Sequence, residues 1–291
     1  VTCDAEISME ANPGTLTEEN LEKYRKSGIN RLSIGCQSVD DQELKILGRI
    51  HTVKEFLDSF EMARNAGFDN LNVDLMSAIP GQQVADWERN LKTVAELGPE
   101  HISAYSLIIE EGTPFADQEL DLPDEESERR MYEMTRDILA DYGYHPYEIS
   151  NYAREGRECI HNIGYWKRVS YLGMGLGAAS MLKGELRYNN TEDMGKYLKN
   201  SSNPKSLHKN EQHLSRNEQM EEFLFLGLRM TEGILEKDFK DYFACDINEL
   251  YGTVIEKHQK LGFLDRRDGR IRLTKQGINV SNQVFVAFLL D

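Results

Sequence analysis

No apolar run in this sequence approaches the roughly 20 residues that a membrane-spanning helix needs. No basic segment precedes a short apolar stretch, so a secretory signal is not visible either. The chain starts at Val1, directly before a strand-like run, which leads us to expect that something has been removed ahead of it. Cysteine is scarce. Cys3, Cys36, Cys159 and Cys245 lie far apart and form no Cys-x-x-Cys pair. That spacing argues against a disulfide framework and fits reduced thiols in the cytoplasm. Positive charge is in the minority, with 34 Lys and Arg against 50 Asp and Glu and a formal net charge of −16. Such a surface repels nucleic acid and anionic lipid. Nucleic acid is therefore not expected as a partner, while membrane association through a local basic patch stays open.

What is present is ordinary for a globular protein, with 40% apolar and 29% charged residues. Up to about residue 110 the pattern alternates strand and helix. Strands are expected at 6–11, 31–37, 70–77 and 102–108, with helices at 17–28, 40–48, 52–67 and 84–97 between them. This order implies parallel pairing through crossover helices. A long charged helix follows at 124–142, with Met131, Met134 and Ile138 on its buried side, and then short strand-like runs up to residue 189. A Ser, Asn, Pro and Lys cluster at 200–208 marks a boundary. Beyond it the pattern is helical until Gly262, where apolar residues alternate around Asp268-Gly269, a strong hairpin signal.

Three of the early strands each show one apolar and one polar face. Ile7, Met9 and Ala11 alternate with Ser8 and Glu10; Leu32, Ile34 and Cys36 with Ser33, Gly35 and Gln37; Leu71, Val73 and Leu75 with Asn72 and Asp74. With helices covering the apolar face, the polar face looks into a barrel-like interior. Parallel barrels normally fill that space with branched apolar side chains and place their sites at the C-terminal ends of strands. Glu10, Gln37 and Asp74 are therefore candidate site residues. The alternative is that each is a buried structural group satisfied by a neighbour. Either way the two carboxylates need donors or cations; Arg49 is one candidate and a cationic ligand is another.

Five motifs in order, Glu10-Ala-Asn-Pro-Gly14, Arg31-Leu-Ser-Ile-Gly-Cys-Gln37-Ser, Leu47-Gly-Arg-Ile-His51, Asn72-Val-Asp-Leu75 through Pro80-Gly81, and Gly173-Met-Gly-Leu-Gly-Ala178, resemble the coproporphyrinogen-oxidase-like radical S-adenosylmethionine (SAM) proteins. Glu222-Phe-Leu-Phe-Leu-Gly-Leu-Arg-Met230 and the hairpin at 262–274 resemble that family's terminal module. The resemblance implies an α/β fold: a partial (β/α) radical-SAM barrel lacking its first two strands, plus a C-terminal winged-helix-like α+β module. It divides the chain into a truncated barrel at 1–120, a haem- or porphyrin-associated extension at 121–205 and the terminal module at 206–291. It further implies that Glu10 holds the cluster-bound SAM, that Gln37, Arg49 and Asp74 contact a second SAM, and that Ser106 is another small contact residue. The family's cluster motif, Cys-x-x-x-Cys-x-x-Cys, does not occur in the chain, nor does its glycine-rich SAM motif. The expectation is that the intact parent carries the [4Fe-4S] cluster, that the chain as it stands performs no chemistry, and that the strand left at the barrel edge is covered by its own chain or pairs with a neighbouring molecule.

The family has two branches, oxygen-independent oxidases that decarboxylate coproporphyrinogen III and haem chaperones. His161-Asn-Ile-Gly-Tyr-Trp166 resembles a run of the chaperones. This favours a haem-binding and haem-delivering protein, with His161, Tyr165 and Trp166 as haem contacts, Cys159 as a rival ligand and a haem-acceptor protein as partner. The lesser alternative is that Tyr165 and Trp166 are core aromatics. His51 and His101 are expected as surface or capping histidines. Gly173, Gly175 and Ala178 fit a dinucleotide fingerprint, but no helix is expected directly after them, so that reading is rejected. Arg266, Arg267, Arg270 and Arg272 in the hairpin are interleaved with Asp265 and Asp268, which argues against a phosphate-binding wing.

Overall fold

Apolar side chains at every second position build the first sheet, and the helices that follow each strand cover its apolar face. In the computed structural model, which describes residues 2 and 4–290, this part of the chain runs β1 (Ser8–Ala11), α1 (Glu18–Lys26), β2 (Arg31–Gln37), α2 (Asp41–Ile46), α3 (Val53–Asn65), β3 (Leu71–Ser77), α4 (Val84–Leu97), β4 (His101–Ser106), α5 (Glu125–Asp141), β5 (His145–Pro146) and β6 (Asn151–Ala153). The sheet order is β1-β2-β3-β4-β6-β5. The first four strands are parallel and the last two antiparallel, as expected for an α/β chain whose strands are joined by crossover helices. Cys3 lies outside the described residues.

Local signals set the helix ends. Thr17 accepts a hydrogen bond from the Asn20 amide, and Thr52 and Glu55 form a reciprocal capping box. Such caps contribute about 1 kcal/mol each. Leu32, Ile34, Leu71, Val73 and Ile102 pack with Phe56, Trp87, Leu91 and Met131 into one core, each fully or almost fully buried. Each of these side chains contributes roughly 1.5–3 kcal/mol by leaving water. The Trp87 indole donates to Met131 O (3.1 Å) and Thr135 Oγ1 (2.9 Å), tying α4 to α5.

The other face of the sheet is polar and largely closed to water. Ser33, Asn72, His101 and Ser103 are all buried there. His101 is thus not a surface or capping residue as expected. It opens β4 on the same face as Ser103 and Tyr105, one position before the strand read from the sequence. His51 is also buried, its Nε2 3.1 Å from Cys36 O.

Contacts cluster the chain into two units, Val1–Cys159 and Ile160–Asp291. The segment at 121–159 joins the first unit because α5 packs on α4 and β6 pairs with β4. The second unit runs α6 (Ile160–Trp166), β7 (Ala179–Leu182), β8 (Leu186–Asn190), α7 (Met194–Lys199), a 3-10 turn at Pro204–Leu207, β9 (His208–His213), α8 (Arg216–Gly227), β10 (Ile234–Leu235), α9 (Glu236–Phe243), α10 (Ile247–Lys260), β11 (Leu264–Arg267), β12 (Arg270–Leu273), α11 (Lys275–Asn279) and α12 (Ser281–Val286). It holds two three-stranded antiparallel sheets, β7-β8-β9 and β10-β12-β11. The hairpin turn has Asp268 and Gly269 at φ 55° and 70°, the two left-handed residues that a two-residue turn matching strand twist requires. Among the described residues no helix is long and apolar enough to cross a membrane.

Candidate functional site

At the C-terminal ends of the parallel strands the polar face becomes a cluster. Gln37 ends β2 in a left-handed conformation (φ 70°), and its Oε1 accepts from the Tyr105 hydroxyl at 3.2 Å. Gly35 lets neighbouring groups converge: a Cβ there would lie 3.1 Å from Gln37 Nε2 and 3.4 Å from Arg49 Nη2. Arg49 donates to Asn12 Oδ1 (2.6 Å) and to Gly35 O (3.3 Å) rather than to either carboxylate. Asp74 accepts from Asn72 Nδ2 (2.7 Å) and Ser33 Oγ (3.1 Å). Ser106 sits beside Ser77, Oγ to Oγ 3.3 Å. Glu10 is exposed on β1, which has β2 as its only strand neighbour among the described residues.

The electrostatics follow from this packing. Burial raises the Asp74 carboxyl above the usual aspartate value; donors on Asn72, Ser103 and Ser33 offset part of that, and the Glu10 charge adds to it. Burial, with help from Asp74, pushes the Tyr105 phenol up to about 12. Of the two candidate partners for the carboxylates, Arg49 is engaged elsewhere, with Asn12 and Gly35. Neutral donors hold Asp74, and the cluster keeps negative charge that a cation would meet favourably. The sequence puts Ser33 and Asn72 on the polar face without marking them as site residues, and gives Ser103 and Tyr105 no role, although His101, Ser103 and Tyr105 carry the same polar alternation into the fourth strand.

Burial depresses the His101 imidazole well below the usual histidine value, and nearby Arg31 adds to the effect. The folded protein then leaves His101 unprotonated where the unfolded chain takes up a proton, near pH 6.5. Stability should fall as pH drops below about 6.5. Asp74, whose value is raised, acts in the opposite sense, its contribution being lost as pH rises above its ordinary 3.8. Urea unfolding followed from pH 7.5 to 5.5 measures this; a His101→Asn variant should show a shallower loss, and equal slopes would count against the assignment.

The second candidate lies on α6. His161 and Tyr165, four residues apart, share one exposed face, with ring centroids 4.6 Å apart at 84°. Tyr165 in turn meets Tyr171 at 4.7 Å. Ile160 and Val169 are exposed beside them, and the Val169 Cβ lies 3.9 Å from where a Cβ on Gly164 would be. Trp166 does not join this face. It turns inward, with the Arg229 guanidinium 4.4 Å above its ring. Cys159 is buried in the first unit with its thiol 3.6 Å from Glu6 Oε1, which is not the setting of an accessible haem ligand. An exposed imidazole flanked by aromatic and aliphatic surface fits what a haem requires, an axial nitrogen and an apolar contact for the ring.

The thiols do not fit an iron–sulfur cluster. Among the described residues no group of three or more His, Cys, Asp and Glu side chains is placed to hold a metal ion, and no cysteine triplet has cluster spacing. The glycine run leads into β7, not a helix, and a Cβ on Gly173 would lie 2.2 Å from Ala179 O, so close backbone approach explains that glycine. The hairpin arginines are matched by carboxylates: Arg266 by Glu236, Arg267 and Arg272 by Asp265, and Arg270 by Glu232.

Comparison with known proteins places the chain among its relatives. The profile of the Radical SAM superfamily matches residues 2–94, and that of the HemN C-terminal domain matches residues 214–280. The heme chaperone HemW of Lactococcus lactis is 40% identical over 292 aligned positions, spanning 98% of this chain and 76% of that protein. The heme chaperone HemW of Bacillus subtilis is 36% identical over 289 positions, again spanning 98% and 76%. Among solved structures, coproporphyrinogen III oxidase (HemN) from Escherichia coli superposes with a TM-score of 0.81 at 21% identity, covering 99% of this chain and 70% of that one. The last shows a shared fold, while the first two, similar along almost the entire length, show kinship: the chain belongs to the HemW family of radical SAM proteins.

Proposed function

We propose that this protein binds haem on the exposed face of α6 and passes it to an acceptor protein in the cytoplasm, and that its strand-end cluster binds SAM. The observation that carries the haem reading is the exposed His161–Tyr165 pair, in a chain whose relatives are named heme chaperones. For SAM, the support is chemical. Asp74 and Glu10 suit a cationic sulfonium or ammonium group, Arg49 a carboxylate, and Gln37 and Ser106 polar edges. The functional boundaries at 120/121 and 205/206, the partial-barrel reading of the first sheet and the winged-helix reading of the last segment belong to the same proposal. Titration of haem into the protein, followed by the Soret band, tests the central claim; saturable one-to-one binding is expected. If the protein binds no haem and decarboxylates coproporphyrinogen III, the oxidase reading replaces it.

The four thiols lack the spacing that would ligate a [4Fe-4S] cluster. Anaerobic reconstitution of the 291-residue chain is expected to retain well under one iron and to yield no 5′-deoxyadenosine on reduction. About four irons per chain, the content of a [4Fe-4S] centre, would overturn this.

A further inference from the structure

Asn72 sits at the centre of the buried polar face, and its amide can adopt only one orientation. Its Nδ2 lies 2.7 Å from Asp74 Oδ1 and 2.7 Å from Ser33 Oγ. An ionised carboxylate only accepts, so the nitrogen must face Asp74. The Asn72 oxygen then faces His101 Nδ1 at 2.6 Å and Ser103 Oγ at 3.2 Å. An amide oxygen only accepts, so His101 Nδ1 carries the proton. In a neutral imidazole Nε2 is then an acceptor, and the Tyr147 hydroxyl stands 2.9 Å from it as donor. Three hydrogen bonds therefore point the same way, from Tyr147 to His101 to Asn72 to Asp74.

The sheet register makes this possible. Asn72 is paired with His101 and with Ser33 on its two sides, and Asp74 with Ser103. His101, Asn72 and Tyr147 are all buried. Aligned bonds polarise one another where the local dielectric is low. At the end of the chain Asp74 is held by neutral donors alone, so the protein fixes its direction without cancelling its charge. We infer that Tyr147, His101 and Asn72 form a one-way hydrogen-bond relay that orients the Asp74 carboxylate toward a cationic ligand, making His101 a positioning residue of the strand-end site. The inference rests on the proposed SAM binding and adds to it residues that touch no ligand.

The test is the ratio of affinities for SAM and S-adenosylhomocysteine, which lacks the positive charge, measured by calorimetry on the intact protein. Asp74→Asn should lower the preference for SAM by about tenfold or more, the scale of a hydrogen bond to a charged group. Tyr147→Phe and His101→Leu should each lower it by about threefold to tenfold, the scale of one neutral hydrogen bond. His101→Asn, whose amide can reproduce the Nδ1–H donor, should restore the ratio to within about twofold of the parent. Nitrogen NMR of the parent should show the Nδ1–H tautomer. Because Tyr147→Phe removes one oxygen at the far end, it keeps the test informative if a His101 variant fails to fold. An unchanged ratio in Asp74→Asn would defeat the SAM reading itself. A changed ratio there with unchanged ratios in Tyr147→Phe and His101→Leu would defeat the relay alone, as would an Nε2–H tautomer.

Discussion

Replacing His161 by alanine is expected to remove the Soret shift of bound haem and weaken haem affinity by at least about tenfold, the equivalent of 1.4 kcal/mol. On the proposed reading the axial nitrogen comes from this imidazole on the exposed face of α6, where the sequence offers no second imidazole. Tyr165 contacts it edge-to-face, so Tyr165→Ala should cost less, about 0.5–1.5 kcal/mol from the lost aromatic contact. Trp166→Ala should act on stability more than on haem, because its ring packs under Arg229 and away from the ligand face. Cys159→Ala should leave haem binding unchanged, since that thiol is buried beside Glu6. Spectral titrations of the four variants decide the matter. Equal binding by the parent and His161→Ala would show the ligand assignment to be wrong.

Glu222→Ala should be the more damaging change for the fold. Glu222 lies on α8 with its side chain 10% exposed and is shared by Arg168 (3.2 Å, side chain 3% exposed) and Arg187 (2.7 Å). Arg168 also donates to Gly184 O, and it lies two residues beyond Trp166, so this carboxylate anchors the chain at the end of α6. Removing one partner of a buried pair leaves an uncompensated charge, at about 3–5 kcal/mol. Arg187 is 36% exposed and regains water, so we expect the lower end, about 3 kcal/mol. Urea denaturation measures the loss. The double variant Arg168→Met with Glu222→Leu should recover much of it, because apolar residues of similar volume need no counter-ion. Lys237→Ala breaks only an exposed pair with Asp241 and should change little. A Glu222 variant as stable as the Lys237 variant would mean that the cluster is solvated.

Where segments carried their own signals, sequence and structure coincide. β2 and α4 fall at the residues expected, 31–37 and 84–97, because strict alternation marks the first and helical spacing the second. The Asp268-Gly269 turn was equally legible. β9 was not. Its residues His208–His213 are all polar, and pairing with β8, not side-chain periodicity, makes it a strand. Thus the segment read as a boundary at 200–208 runs directly into a sheet. α6 is short, with no buried residue to reveal a period.

The sequence by itself determined the α/β class, the polar face of the early strands, the family motifs and the absence of a cluster ligand set, since each is written in neighbouring residues or in composition. Only the tertiary structure decided that Gln37 meets Tyr105, that Arg49 binds Asn12 instead of Asp74, that His101 is buried behind Asn72, and that Trp166 turns away from His161. These contacts join residues tens of positions apart, or on opposite sides of one short helix. Periodicity fixes which face a side chain takes. Register between distant strands, and the packing of a helix against its neighbour, fix what that side chain meets.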